Sequence, residues 1–175
     1  SYGGAIAMEL AIMQASLPAA QRPLSGLVLV ATGPRLPVDP KLIELFSKSG
    51  ESISAEEALF LFQNSIGRAG TEQDVQCLAQ AMAMTPPVAT VADLAAGADF
   101  VRMDALAGID LPTLVLAGAG DRIVPLRYAQ YLERHIPKSR LVVFDDLGHH
   151  LPYEATDAVS QHILSFLEQS GGPSG

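Results

Sequence analysis

Three residues suited to nucleophilic catalysis stand at glycine-rich turns: Ser1 in Ser1-Tyr2-Gly3-Gly4, Asp121 in Gly118-Ala119-Gly120-Asp121, and His149 in Gly148-His149-His150. A serine hydroxyl is a weak nucleophile near neutral pH, so a base must take its proton as it attacks. An imidazole serves as that base when a carboxylate on its far nitrogen fixes the tautomer and stabilises the imidazolium. Ser1 is then the nucleophile, His149 the base and Asp121 the orienting acid, in the chain order Ser, Asp, His.

Other assignments compete for each place. Asp145 and Asp146 are alternative acids, but they lie so near His149 in sequence that reaching its far nitrogen is awkward. Asp121 has a purely structural alternative, capping the helix that follows it. His150 is an alternative base, although the Gly148-His149 pair and Glu154 five residues beyond favour His149. His135 and His162 fall on predicted helices and read as surface or packing residues. Cys77, on a helix with no histidine near it in sequence, reads as a buried thiol.

The elements that must position these residues are legible from hydrophobic patterning. Ala5 to Met13 is almost wholly apolar, which predicts a helix buried on most sides. Gly26-Leu-Val-Leu-Val-Ala31 is a short continuous apolar run of the kind found in a central parallel strand covered on both faces, and the sheet resumes at Pro112-Thr-Leu-Val-Leu-Ala117. Ser139 to Phe144 reads as a third strand. Amphipathic helices are expected over 125–136 and 155–169. Strand and helix in alternation imply parallel strands joined by right-handed crossovers. That topology brings the Asp121 and His149 loops to one carboxyl edge of the sheet, where ligands bind.

Between Thr32 and about Asp110 the texture is helical. Pro40 suits a first helical position, Ser54 with Glu57 reads as a capping box, and Thr71 to Asp74 reads as another helix start. Val88 to Met103 is a further helix or pair of short helices. The expected division is therefore 1–33 core, 34–110 helical cap, 111–170 C-terminal core and 171–175 a frayed tail. Phe60, Phe62, Met82 and Met84 sit at helical spacing and are expected in the core of the cap.

Composition narrows the remaining classes. The chain has 175 residues, enough for one domain with a real core, and its 11 Lys and Arg face 19 Asp and Glu for a net charge of −8. Such a surface repels phosphate backbones and anionic lipid heads, which argues against nucleic acid and membrane-surface partners. No apolar run reaches the length of a membrane span. One cysteine makes no internal disulfide and no Cys/His cluster suggests a metal, so no cofactor is expected and a reducing, cytoplasmic setting is favoured.

Taken in order, Ser1-Tyr2-Gly3-Gly4, the Asp121 loop with Val124-Pro125 after it, and Gly148-His149 with Glu154 resemble the C-terminal part of an α/β-hydrolase, beginning at the nucleophile of the G-x-S-x-G elbow. The glycine two residues before the serine is not in the chain. The resemblance implies an α/β-hydrolase fold with a mostly parallel sheet and a helical cap. It implies a serine hydrolase acting through an acyl-enzyme on an ester, thioester, lactone or amide, with the backbone N–H of Tyr2 in the oxyanion hole. A serine in that place argues against relatives that use an aspartate nucleophile. An acyltransferase with the same triad and a non-catalytic ligand receptor on the same fold are the alternatives. The resemblance further implies that several strands and a second oxyanion loop precede this segment. The expectation is one piece of a longer polypeptide cut before the serine, with the N-terminal piece associated as a second chain. The α-amine of such a serine is an alternative base, as in N-terminal nucleophile enzymes, but the complete histidine loop favours His149.

Overall fold

The computed structural model describes residues 1–50 and 53–170, so the tail expected at 171–175 lies outside the described residues. Three strands, β1 (Leu27–Val30), β2 (Thr113–Gly118) and β3 (Ser139–Phe144), form a parallel sheet in the order β1-β2-β3. The register sets Leu27 against Thr113 and Gly118 against Phe144, so β2 and β3 end level with one another. β2 is buried along its whole length, as a central strand with both faces covered must be.

Side chains alternate across the sheet with period two. Leu29, Val115 and Ala117 face α1 (Tyr2–Ala15) and α6 (Arg127–His135), where they meet Met8, Leu132 and Ile136. Leu114 and Leu116 face the other way, onto Val159 and Phe166 of α8 (Thr156–Ser170). The last helical stretch is broken: a short α7 (Leu151–Glu154) ends at Ala155, whose backbone is neither helical nor extended, and α8 starts one residue later. Helix α1 also departs from the expectation of burial on most sides. Ala5, Met8 and Ala11 are buried, but Ile6, Leu10 and Met13 are about half exposed because the sheet covers only one side of the helix.

Four helices fill the interval between β1 and β2: α2 (Pro40–Lys48), α3 (Ala55–Gln63), α4 (Glu72–Ala83) and α5 (Pro87–Asp99). Their starts follow local chemistry. The Asp39 carboxylate caps α2 through the Lys41 N–H, and Ser54 with Glu57 and Thr71 with Asp74 form reciprocal capping boxes on α3 and α4. α3 packs on α4 and α2 on α5, around a small core of Phe46, Ile53, Ala58 and Ala79. The expected cap core is corrected at two positions. Phe60 is 68% exposed and Met84 86% exposed, because each lies outside the face its helix turns to its neighbour. Phe62 and Met82 do pack against the cap core, and Met82 also lines a cavity above Ser1.

Ala31, directly after β1, has φ of 47°, in the left-handed region that non-glycine residues seldom adopt. The chain reverses there and carries the buried Thr32 beneath the start of α1. Gly4 meets it so closely that a Cβ on Gly4 would stand 2.5 Å from Thr32 Cγ2, which excludes any larger residue at that position.

Candidate active site

Ser1 precedes the first turn of α1 and is held by its backbone. The Thr32 hydroxyl donates to the Ser1 carbonyl at 2.7 Å, and the Ser1 nitrogen donates to the Val30 carbonyl at 3.1 Å. The Ser1 side chain is exposed at a pocket it shares with His149, His150, Ala31 and Tyr153. Among the described residues the Tyr2 N–H has no acceptor, as befits the first N–H of a helix.

Asp121 lies just beyond β2 and is 6% exposed. One carboxylate oxygen accepts from the Ile123 and Val124 N–H groups, each at 2.8 Å, and the other stands 2.8 Å from His149 Nδ1. One oxygen thus braces the acid loop and the other orients the imidazole; α6 starts at Arg127 without a side-chain cap, so Asp121 does not cap it. A carboxylate can only accept, so Nδ1 carries the hydrogen and Nε2 keeps its lone pair. The competing acids lie elsewhere: Asp146 pairs with Arg68 at 3.4 Å on the surface, and Asp145 lines a separate depression with it.

The histidine loop is clamped to the segment joining α3 and α4. The His149 N–H donates to the Ser65 carbonyl at 2.8 Å, and Ala69 N–H to the Asp146 carbonyl at 3.0 Å. Glu154 gathers three backbone N–H groups on its carboxylate, from Gly67, Gly148 and His150, at 2.6, 2.8 and 3.0 Å. Gly67 and Gly148 meet backbone to backbone: a Cβ on Gly148 would stand 2.4 Å from Gly67 N and 2.6 Å from the Ser65 carbonyl oxygen. Sequence spacing singles out Glu154, but not this role, and it passes over Thr32, Ser65 and Gly67 altogether. The glycine pair Gly67 and Gly70 between two helices was the only local signal.

The other histidines serve as packing groups. His135 stacks on Tyr131 and His162 sets its edge to Phe144. Cys77 is half-buried, with Gln73 Nε2 3.5 Å from its sulfur. His150 sits between Phe62 and the His149 ring, at 5.3 and 5.1 Å. Burial, followed by the neighbouring His149, lowers its pKa to about 4. Between the ordinary histidine value of about 6.5 and that value, the unfolded chain binds a proton that the folded chain does not. Stability therefore falls as pH drops through this window, by about 2–3 kcal/mol, and changes no further from this group below it. Urea unfolding at pH 7 and pH 4.5 is expected to show that loss, and His150→Leu to remove most of it. An unchanged pH slope in the variant would contradict the assignment.

On the far side of Ser1 a cavity of about 280 Å³ opens between the core and the helices above it. Leu36, Pro37 and Val38 from the chain after β1, with Ile123 and Val124 from the acid loop, make its floor. Leu42, Met82 and Leu94 close its upper side, and Thr85, Thr90 and Asp93 add polar groups.

Comparison with known proteins places this geometry. A sequence model of the alpha/beta hydrolase family matches residues 1–162. The pimeloyl-[acyl-carrier protein] methyl ester esterase of Vibrio vulnificus is 27% identical over 177 residues, covering 95% of this chain and 67% of the relative. The Vibrio campbellii esterase of the same name is 29% identical over 160 residues, 85% of this chain and 61% of that one. Among solved structures, a thermophilic esterase from Thermogutta terrifontis superposes with a TM-score of 0.78 at 26% identity, over 96% of this chain and 62% of its own. An esterase from Exiguobacterium antarcticum shares the fold at 18% identity with a TM-score of 0.79. The chain thus spans about two thirds or less of the length of these relatives.

Proposed function

The chain belongs to the alpha/beta hydrolase family, and from that premise we propose that it hydrolyses a carboxylic ester through a Ser1 acyl-enzyme. The observation that carries this reading is the 2.8 Å contact between buried Asp121 and His149 beside the exposed Ser1 hydroxyl. His149 Nε2 takes the Ser1 proton as the hydroxyl oxygen attacks the ester carbonyl. The Tyr2 N–H holds the developing oxyanion, a contact worth about 3–4 kcal/mol of barrier. Collapse of the tetrahedral species breaks the bond to the alcohol, which leaves with the proton from His149. Water then attacks the acyl-enzyme with His149 again as base, releasing the acid and restoring Ser1. Asp121 stabilises the imidazolium in both halves. The Ser1 and His149 side chains make no direct hydrogen bond here, and such contacts commonly tighten only with substrate bound.

The esterase names of the relatives favour hydrolysis over acyl transfer and over ligand reception. A fluorophosphonate probe mapped by mass spectrometry is expected to label Ser1, with methanol released from simple methyl esters. Unlabelled Ser1 and no turnover would overturn the reading. A faster product yield with an added alcohol or amine would shift it to transfer.

We further propose that the second oxyanion donor lies on polypeptide covering α1 and the outer edge of β1, supplied as a second chain of the same precursor. The half-exposed Ile6, Leu10 and Met13, and the pairing of β1 with β2 alone among the described strands, support such a cover. Intact-mass measurement on the native protein tests the two-chain form, which a single longer polypeptide would overturn. The lone Cys77 supports a cytoplasmic setting, and none of the described helices is long and apolar enough to cross a membrane.

A further inference from the structure

The cavity above Ser1 is apolar on its floor and most of its upper side, yet one helix adds a charge. On α5, Thr90, Asp93, Leu94 and Gly97 follow helical spacing and turn one stripe into the cavity. The stripe has a direction. Gly97 is at the inner end, where a Cβ would lie 3.6 Å from Tyr2 Cδ2, next to the nucleophile. Asp93 is therefore about one helical turn, roughly 6 Å, further out, and Thr90 a turn beyond it. Among the described residues, Asp93 has no hydrogen-bond donor and no cationic partner, and it is the one charged side chain lining the cavity.

We propose that this cavity takes the acyl half of the substrate and that Asp93 reads its far end. This rests on the ester-hydrolase reading above. A cavity of about 280 Å³ leaves room for an acyl chain of several carbons. An acyl chain leaving Ser1 runs over Leu94, Val38 and Leu42 and comes abreast of Asp93 after about five carbons. At that point an ammonium or hydroxyl finds an acceptor without a competing partner. A terminal carboxylate meets a like charge there, a repulsion that the exposure of Asp93 leaves partly screened by water. The preferred substrate is an ester of a medium-length acid with an apolar body and a hydrogen-bond-donating end, and dicarboxylic half-esters are rejected.

Three methyl esters of similar length test this on the native protein by methanol release: methyl heptanoate, methyl 6-aminohexanoate and monomethyl adipate. The aminohexanoate ester is expected to match or exceed heptanoate in kcat/KM, and adipate to fall at least tenfold below it. Asp93→Asn is expected to raise adipate about tenfold while changing heptanoate less than twofold, and Asp93→Lys to invert the ranking of the charged pair. Asp93 is exposed, so both variants are expected to fold, which their thermal unfolding checks. Turnover of heptanoate and adipate at equal rates, or a ratio unmoved by Asp93→Asn, overturns the specificity assignment and leaves the hydrolase reading standing. No turnover of any ester, together with an unlabelled Ser1, overturns both.

Discussion

Replacement of Ser1 by alanine is expected to lower kcat for a simple ester by about 10⁴- to 10⁶-fold, with His149→Ala close behind. The two losses are expected not to add. Once the nucleophile is gone the base has no proton to take, and the double variant should resemble either single one. A residual rate above that in water is expected, from substrate binding and the Tyr2 N–H. Stability separates this from a folding defect. The Ser1 side chain is exposed and, although it stands at the N-cap of α1, makes no capping hydrogen bond, so Ser1→Ala should shift unfolding by no more than about 0.5 kcal/mol. Asp121→Asn is the informative companion. An amide that donates toward Nδ1 favours the wrong tautomer, and a loss near 10⁴-fold is expected with the geometry largely kept. Steady-state kinetics on the three single variants and the double variant checks the series. Retention of more than a tenth of the native rate in Ser1→Ala would remove this serine from the mechanism.

Gly148→Ala is expected to cost the most stability for the smallest chemical change. A Cβ at that position falls 2.4 Å from Gly67 N, 2.5 Å from the Ile66 carbonyl carbon and 2.6 Å from the Ser65 carbonyl oxygen. All three are backbone atoms, which cannot rotate away as the end of a side chain can. Either the joint between α3 and α4 lifts, or the histidine loop shifts, and in both cases the His149 N–H loses Ser65 and Glu154 loses part of its set of donors. A loss of about 3 kcal/mol or more in urea unfolding is expected, with activity reduced at least a hundredfold because the imidazole loses its support. Gly108→Ala is the control: a Cβ there meets nothing within 4 Å, and its effect should stay near 0.5 kcal/mol. Gly67→Ala should behave as Gly148→Ala does, since its Cβ would meet Asp146 O at 2.3 Å from the opposite side. Equal stability of Gly148→Ala and Gly108→Ala would mean that the two segments can part freely.

This contact changes how the cap is understood. Four helices inserted between two strands suggest a lid that swings as a unit. The Ser65–Ala69 stretch instead forms part of the wall behind His149, with Glu154 fastening the two. The cavity above Ser1 is bordered instead by α2, α5 and Met82 of α4.

What the residues determined unaided is what depends on local spacing. The apolar runs at 27–30 and 114–117 are strands in a sheet covered on both faces, and Ser54 with Glu57 starts a helix because two side chains answer two free N–H groups. The order Ser, Asp, His and the alternation of strand and helix were enough to bring Asp121 and His149 to one rim of the sheet. The tertiary structure alone decided the rest, because those facts involve atoms far apart in the chain. Nothing in the neighbourhood of Thr32 announces that its hydroxyl braces Ser1, nor does Gly67 announce that Gly148 lies against it. Likewise, helical spacing places Phe60 and Met82 on a face without saying which face meets a neighbour, a cavity or water. Burial of a side chain depends on what the fold brings opposite it, and that choice is made only when the helices dock.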